Sequence, residues 1–163
     1  MVDGYYYSKE FDKAIEHGRR VVDMDPRFSA IYASLVLNYI RASKHAEALQ
    51  AADTYSKLVE PFDAKMVYAW VYASTGKVEE AHKLLRELEE VYQKEHLSPY
   101  TIGLVHFALG EVDEGFEWLE KAHEHHDRGV YAMAIDYELD DLRSDPRYLT
   151  LLQRIGLAQH LRQ

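Results

Sequence analysis

The sequence predicts an all-α protein: a right-handed solenoid of antiparallel helix pairs with a C-terminal capping helix. Three observations carry this prediction. Small residues and three further columns of apolar, aromatic or histidine residues recur at a step of 33 or 34 residues, and apolar residues within each step follow helical spacing. Only four prolines and eight glycines occur among 163 residues. So few turn-forming residues argue against an all-β fold, which needs a turn about every 8–12 residues.

The repeat is visible in four columns of residues that share one register. One column holds small residues, and the other three hold apolar, aromatic or histidine side chains. The columns are Ala14, Ala48, Ala81 and Gly115; Phe11, His45, Val78 and Val112; Tyr5, Tyr39, Tyr72 and His106; and Val21, Tyr55, Leu88 and Ala122. Small residues at fixed positions let two antiparallel helices approach closely, while the aromatic residues fill the gaps beside them.

This register divides the chain into a single array of repeats. We expect a partial repeat at 1–27, full repeats at 29–62, 63–96 and 97–128, and a C-terminal cap at 129–163.

Each full repeat is predicted to contain two helices joined by a short turn. The turns are expected at Ser43–Lys44, at Thr75–Lys77 and at Gly110. Gly110 can adopt the left-handed conformation that ends a helix. The fourth repeat is expected to begin at Ser98–Pro99, an N-cap followed by a proline at the first helical position.

The capping helix is predicted to begin at Asp145–Pro146. Its apolar residues form one stripe: Tyr148, Leu151, Leu152 and Ile155. The last repeat of a solenoid exposes an apolar face, so an amphipathic element of this kind is needed to cover it.

The pattern resembles the tetratricopeptide repeat (TPR) family, whose signature is W-x2-L-G-x2-Y, then A-x3-F, then P. The segment from Tyr32 to Tyr39 matches it with Tyr for Trp and Val for Gly, and Ala48 follows. No repeat carries the signature Trp, and only Pro26 keeps the closing proline in register. The segments 98–122 and 142–157 are also similar to the end of the TPR arrays found in bacterial multidomain signalling proteins.

The first helix of the first repeat would begin before Met1, which leaves Tyr5–Tyr7 on a shortened helix. Three explanations are open: a fragment of a longer protein, a natural minimal array, or an edge covered by another subunit. We expect the fragment.

Charge and composition exclude several classes of partner. The net charge of −9 argues against binding nucleic acid, which requires clustered Lys and Arg. All of the excess negative charge lies between Glu111 and Asp145. This segment is either a solvated helix face or a patch for a basic partner. No apolar run is long enough to span a membrane, and the lack of cysteine fits a reducing cytoplasm, where we expect the protein to be.

Motifs for catalysis and for cofactor binding are missing from the sequence. Glycines form neither G-x-G-x-x-G nor a phosphate-binding loop, and no serine lies in G-x-S-x-G. The run His123–Asp127 lacks the second histidine of H-E-x-x-H, so we interpret it as structural and not as a zinc site. We therefore expect neither an enzyme nor a bound cofactor or metal.

The resemblance implies that the first helix of each repeat lines an inner groove that receives peptides. The residues predicted to line this apolar groove are Tyr6, Leu37, Ile40, Met66, Trp70, Tyr100, Leu104 and Phe107. Two functions are open: docking of a protein or peptide segment, or self-association into a homodimer through the groove or Tyr5–Tyr7. A third interpretation is that these side chains pack only against neighbouring helices.

Overall fold

The computed structural model describes residues 10–92 and 97–158, apart from the side chains of Phe62 and Tyr137. These residues form eight α-helices and two 3₁₀ helices, with no β-strand among them. The prediction of an all-α protein is confirmed for this part of the chain.

Eight α-helices follow one another along the described chain. They are α1 (Phe11–Met24), α2 (Ser29–Arg41), α3 (His45–Tyr55), α4 (Pro61–Ser74), α5 (Val78–Val91), α6 (Pro99–Leu109), α7 (Val112–Glu124) and α8 (Pro146–Arg154). The two 3₁₀ helices, Arg128–Ala132 and Tyr137–Leu142, lie between α7 and α8. No helix in the described ranges combines the length and the apolar character that a bilayer crossing requires.

The chain divides into two compact units, residues 1–84 and 85–163, and the boundary falls within α5. In the N-terminal unit α1 packs on α2, α2 packs on both α3 and α4, and α3 packs on α4. Close approach of α1 and α2 depends on Gly18, where a Cβ atom would lie 2.6 Å from Cδ2 of Leu35.

The start of every second helix keeps the spacing of the sequence repeat. Helices α1, α3, α5 and α7 begin at the residues of one predicted column, which are 34, 33 and 34 positions apart: Phe11, His45, Val78 and Val112. The fourth residue of each of these helices is buried and small: Ala14, Ala48, Ala81 and Gly115. A small side chain at this position lets each helix lie close to its neighbour.

The three turns that precede α3, α5 and α7 share one backbone geometry. In each turn one residue has a positive φ, with values of 56°, 78° and 81°: Ser43, Gly76 and Gly110. The following amide donates a hydrogen bond of 2.8–3.0 Å to a carbonyl five residues earlier: Lys44 to Tyr39, Lys77 to Tyr72 and Glu111 to His106. The three predicted turns are confirmed, and Ser43 takes a conformation that glycine takes at the other two.

The C-terminal unit contains α6, α7, the two 3₁₀ helices and α8, which share one hydrophobic core. The helix starts predicted at Ser98–Pro99 and Asp145–Pro146 are confirmed. The Ser98 hydroxyl accepts a hydrogen bond from the Thr101 amide at 3.3 Å, and the Asp145 carboxylate accepts one from the Arg147 amide at 2.8 Å.

The stripe predicted on α8 packs into this core. Tyr148, Leu151 and Leu152 are buried there together with Phe116 and Leu119 of α7, and Ile155 packs against them. The 3₁₀ helices and the residues next to them add Val130, Met133 and Leu139 to the same core. The segment between α7 and α8 is therefore an ordered part of the unit, which the sequence pattern does not predict.

Candidate functional site

Four of the residues predicted to line a groove belong to two helices of the N-terminal unit. Leu37 and Ile40 lie on α2, Met66 and Trp70 lie on α4, and these two helices contact each other. Leu37, Ile40 and Met66 are partly exposed. We call these three side chains the α2–α4 surface.

Trp70 is almost completely covered by the chain itself. It exposes 7% of its surface, and its indole N–H has no hydrogen-bond acceptor among the described residues. A buried donor without a partner costs about 1–3 kcal/mol. Because little of its surface is left to cover, Trp70 can contribute to a binding surface mainly by supporting the side chains around it.

Helix α4 is fixed against α3 by a polar contact. The Tyr68 hydroxyl donates a hydrogen bond of 2.6 Å to Asp53 of α3, and its ring stacks on Tyr72 at 5.7 Å. Burial raises the pKa of Tyr68, and the hydrogen bond to the Asp53 carboxylate adds to that increase. The phenol therefore stays protonated and keeps donating at neutral pH, which holds α4 in place relative to α3.

The other described groove residues, Tyr100, Leu104 and Phe107, pack into the core of the C-terminal unit. Tyr100 is 5% exposed, and its hydroxyl donates a hydrogen bond of 2.9 Å to the Asp136 carboxylate. The Phe107 ring packs edge-on against Phe116, with centroids 5.3 Å apart. These contacts agree with the third interpretation given above, in which the predicted groove residues pack against neighbouring helices.

The remaining predicted residue, Tyr6, lies outside the described residues. The alternative role of Tyr5–Tyr7 in self-association lies outside them as well.

The structure also contains a surface groove that the sequence does not predict. It has a volume of about 420 Å³ and is lined by α1, α2 and α3. On one side Arg19 of α1 donates from Nε to the Tyr39 hydroxyl at 3.1 Å and lies 5.8 Å from the centre of that ring. The polar residues Glu47 and Gln50 of α3 line the other side. The aromatic column that contains Tyr39 is visible in the sequence, but it does not indicate that an arginine contacts this residue.

The histidine-rich run at the end of α7 has a structural contact at its last residue. The Asp127 carboxylate accepts hydrogen bonds from the Ser98 hydroxyl at 2.5 Å and from the backbone amides of Tyr100 at 3.1 Å and Gly129 at 2.8 Å. Asp127 thus connects the start of α6 to the segment after α7. Within residues 10–92 and 97–158, no three His, Asp or Glu side chains are placed to share a metal ion.

Comparison of the chain with protein-family models, with curated proteins and with solved structures finds no match. The TPR interpretation therefore depends on the residues and on the local geometry described above.

Proposed function

We propose that this chain is a protein–protein interaction module that binds a peptide or protein segment on the α2–α4 surface. The observation that carries the proposal is that two helices in contact each carry partly exposed aliphatic side chains: Leu37 and Ile40 on α2, and Met66 on α4. Apolar side chains that stay partly solvated on adjacent helices gain free energy when a partner covers them.

We further infer that the helix pairs are TPR-like repeats of a solenoid. Support comes from the 33- or 34-residue recurrence of helix starts and of the left-handed turn residues. In such repeats the first helix of each pair presents its side chains to a ligand, and α2 and α4 would be these first helices.

The chemistry of the surface favours one class of ligand. Three aliphatic side chains offer dispersion contacts and no fixed charge, so they suit a segment with two or three apolar residues on one face. Burial of apolar surface contributes about 25 cal/mol per Å², so covering the exposed part of each side chain should contribute on the order of 1 kcal/mol to the binding free energy. Binding at this surface should therefore depend weakly on salt.

A peptide selected from a random library on the immobilised chain supplies a ligand for the test. Calorimetry then compares wild type with Met66→Lys, which places a charge on the α2–α4 surface. We expect Kd to rise at least tenfold. Val78→Lys is the matched control, because Val78 is also an exposed apolar residue, 45% accessible, at the start of another helix. An unchanged Kd for Met66→Lys would show that binding occurs elsewhere.

The same variants separate docking from self-association. Light scattering after gel filtration, repeated over a range of concentrations, reports whether the wild type forms a dimer. A dimer that Met66→Lys dissociates and Val78→Lys leaves intact would assign the α2–α4 surface to a second copy of the chain. Under our proposal the wild type is a monomer that binds the selected peptide.

A further inference from the structure

His106 of α6 is a buried histidine with a carboxylate at each ring nitrogen. It exposes 6% of its surface. Nε2 lies 2.9 Å from Oε1 of Glu89 on α5, and Nδ1 lies 2.7 Å from Oε2 of Glu111 in the turn before α7. All three residues belong to the C-terminal unit.

These two contacts determine the charge of the ring. An ionised carboxylate only accepts hydrogen bonds, and a neutral imidazole carries a single N–H. Both contacts can be hydrogen bonds at the same time only when both ring nitrogens are protonated. With both glutamates ionised, the geometry favours a buried imidazolium between two carboxylates, here called the Glu89–His106–Glu111 cluster.

Other titratable groups near the cluster lie on α7 and directly after the ends of α7 and α5. Trp118 stacks on the imidazole at 6.4 Å, and Lys121 Nζ lies 3.9 Å from the centre of the Trp118 ring. Tyr92 packs edge-on against Trp118 at 4.9 Å, and His125 stacks on Tyr92 at 6.5 Å. Lys121 and His125 thus touch the aromatic rings around His106, while the two glutamates contact His106 directly.

Burial by itself lowers the pKa of His106, because it disfavours the charged ring. The hydrogen bonds to Glu89 and Glu111, together with their negative charges, outweigh burial and leave the pKa above the ordinary value of 6.5.

We propose that the Glu89–His106–Glu111 cluster is a pH-sensitive lock that holds α6 to the end of α5 in its protonated form and weakens as the pH rises. Loss of one proton removes one of the two hydrogen bonds and brings a ring lone pair against a carboxylate. The stabilisation is complete below the pKa of His106 in the unfolded chain and is lost as the pH rises through its higher value in the folded chain. The change therefore falls above pH 6.5, the ordinary pKa of histidine.

Nuclear magnetic resonance of the full chain with ¹⁵N-labelled histidine tests the protonation state directly. His106→Tyr, which introduces the residue found at Tyr39 and Tyr72 in the same column, identifies the His106 signals by their loss. We expect both His106 ring nitrogens to be protonated at pH 6.5 and the titration midpoint to lie above 6.5. A single protonated nitrogen at that pH, or a midpoint at or below 6.5, would overturn the proposal.

Thermal unfolding between pH 6 and pH 9 tests the effect on stability. Glu89→Gln replaces an acceptor by an amide that can also donate to a neutral ring, so the decrease in Tm with rising pH should be smaller in this variant. Glu90→Gln removes an exposed carboxylate from the neighbouring position of α5 and should keep the wild-type slope. Equal slopes of Tm against pH for Glu89→Gln and wild type would contradict the lock. If Glu89→Gln does not fold, the titration of His106 in the wild type tests the proposal instead.

Discussion

Replacing Gly115 by alanine is expected to destabilise the C-terminal unit, although alanine favours helices more than glycine does. Gly115 is the fourth residue of α7, and the Phe107 ring of α6 lies directly over it. A Cβ atom at Gly115 would be 2.4 Å from Cε1 of Phe107, 2.6 Å from Cδ1 and 2.7 Å from Cζ. Ordinary contacts between carbon atoms are about 3.5–4.0 Å, so the ring or the helix must shift by about 1 Å.

Two opposing terms set the size of this effect. Replacing glycine by alanine inside a helix stabilises the helix by about 1 kcal/mol. Overpacking a close-packed core costs about 1–3 kcal/mol, and Phe107 has little room to move because it packs edge-on against Phe116. We therefore expect Gly115→Ala to lower the free energy of unfolding by about 1 kcal/mol.

Urea unfolding followed by circular dichroism measures this change. The matched background is Phe107→Leu, whose smaller side chain makes room for the added methyl group. In that background Gly115→Ala should be neutral or stabilising, so the two substitutions should couple by about 1 kcal/mol or more. A gain of about 1 kcal/mol from Gly115→Ala alone would show that Phe107 does not lie over the glycine, and the packing described for α6 and α7 would be wrong.

Substitutions at Asp127 and Tyr148 and a truncation of the chain test the same unit by urea or thermal unfolding. Asp127→Ala removes a carboxylate that accepts three hydrogen bonds and should lower the free energy of unfolding by about 2–4 kcal/mol, whereas Asp127→Asn should lower it less. Tyr148→Phe removes the hydroxyl that donates to the Met133 carbonyl at 2.7 Å and should cost about 1 kcal/mol. Truncation before Asp145 should uncover the core on α7 and abolish cooperative unfolding of the unit, and a soluble, cooperatively folded truncation product would show that α8 is dispensable.

The sequence predicts the helices of this protein well because their boundaries are set by local chemistry. Ser98–Pro99 and Asp145–Pro146 are caps followed by proline, and Gly110 ends α6 in the left-handed conformation, so each boundary depends on adjacent residues. The ordered segment between α7 and α8 has no such signal. Its 3₁₀ helices follow neither helical nor strand periodicity, and they are positioned by the packing of Val130 and Leu139 in the core.

The candidate site is predicted less completely because the direction of a side chain depends on contacts distant in sequence. The resemblance places Tyr100 and Phe107 in the groove, whereas in the structure the Tyr100 hydroxyl donates a hydrogen bond to Asp136 and the Phe107 ring packs against α7. The same limit applies to His106, which the repeat pattern places in an aromatic column. One of its two carboxylate partners, Glu89, lies 17 residues earlier in the chain, and no local pattern links them.

Methionine methyl groups offer the most direct measurement of the proposed binding surface. The chain has four methionines, and the three described ones occupy different environments. Met66 lies on the α2–α4 surface, Met24 is 85% exposed at the end of α1, and Met133 is buried in the C-terminal core. In ¹³C-methyl spectra recorded while the selected peptide is added, we expect the Met66 signal to shift until the peptide saturates the chain, while Met24 and Met133 stay unchanged. A Met66 signal that does not move at saturating peptide, or a shift confined to Met24 or Met133, would contradict docking on the α2–α4 surface.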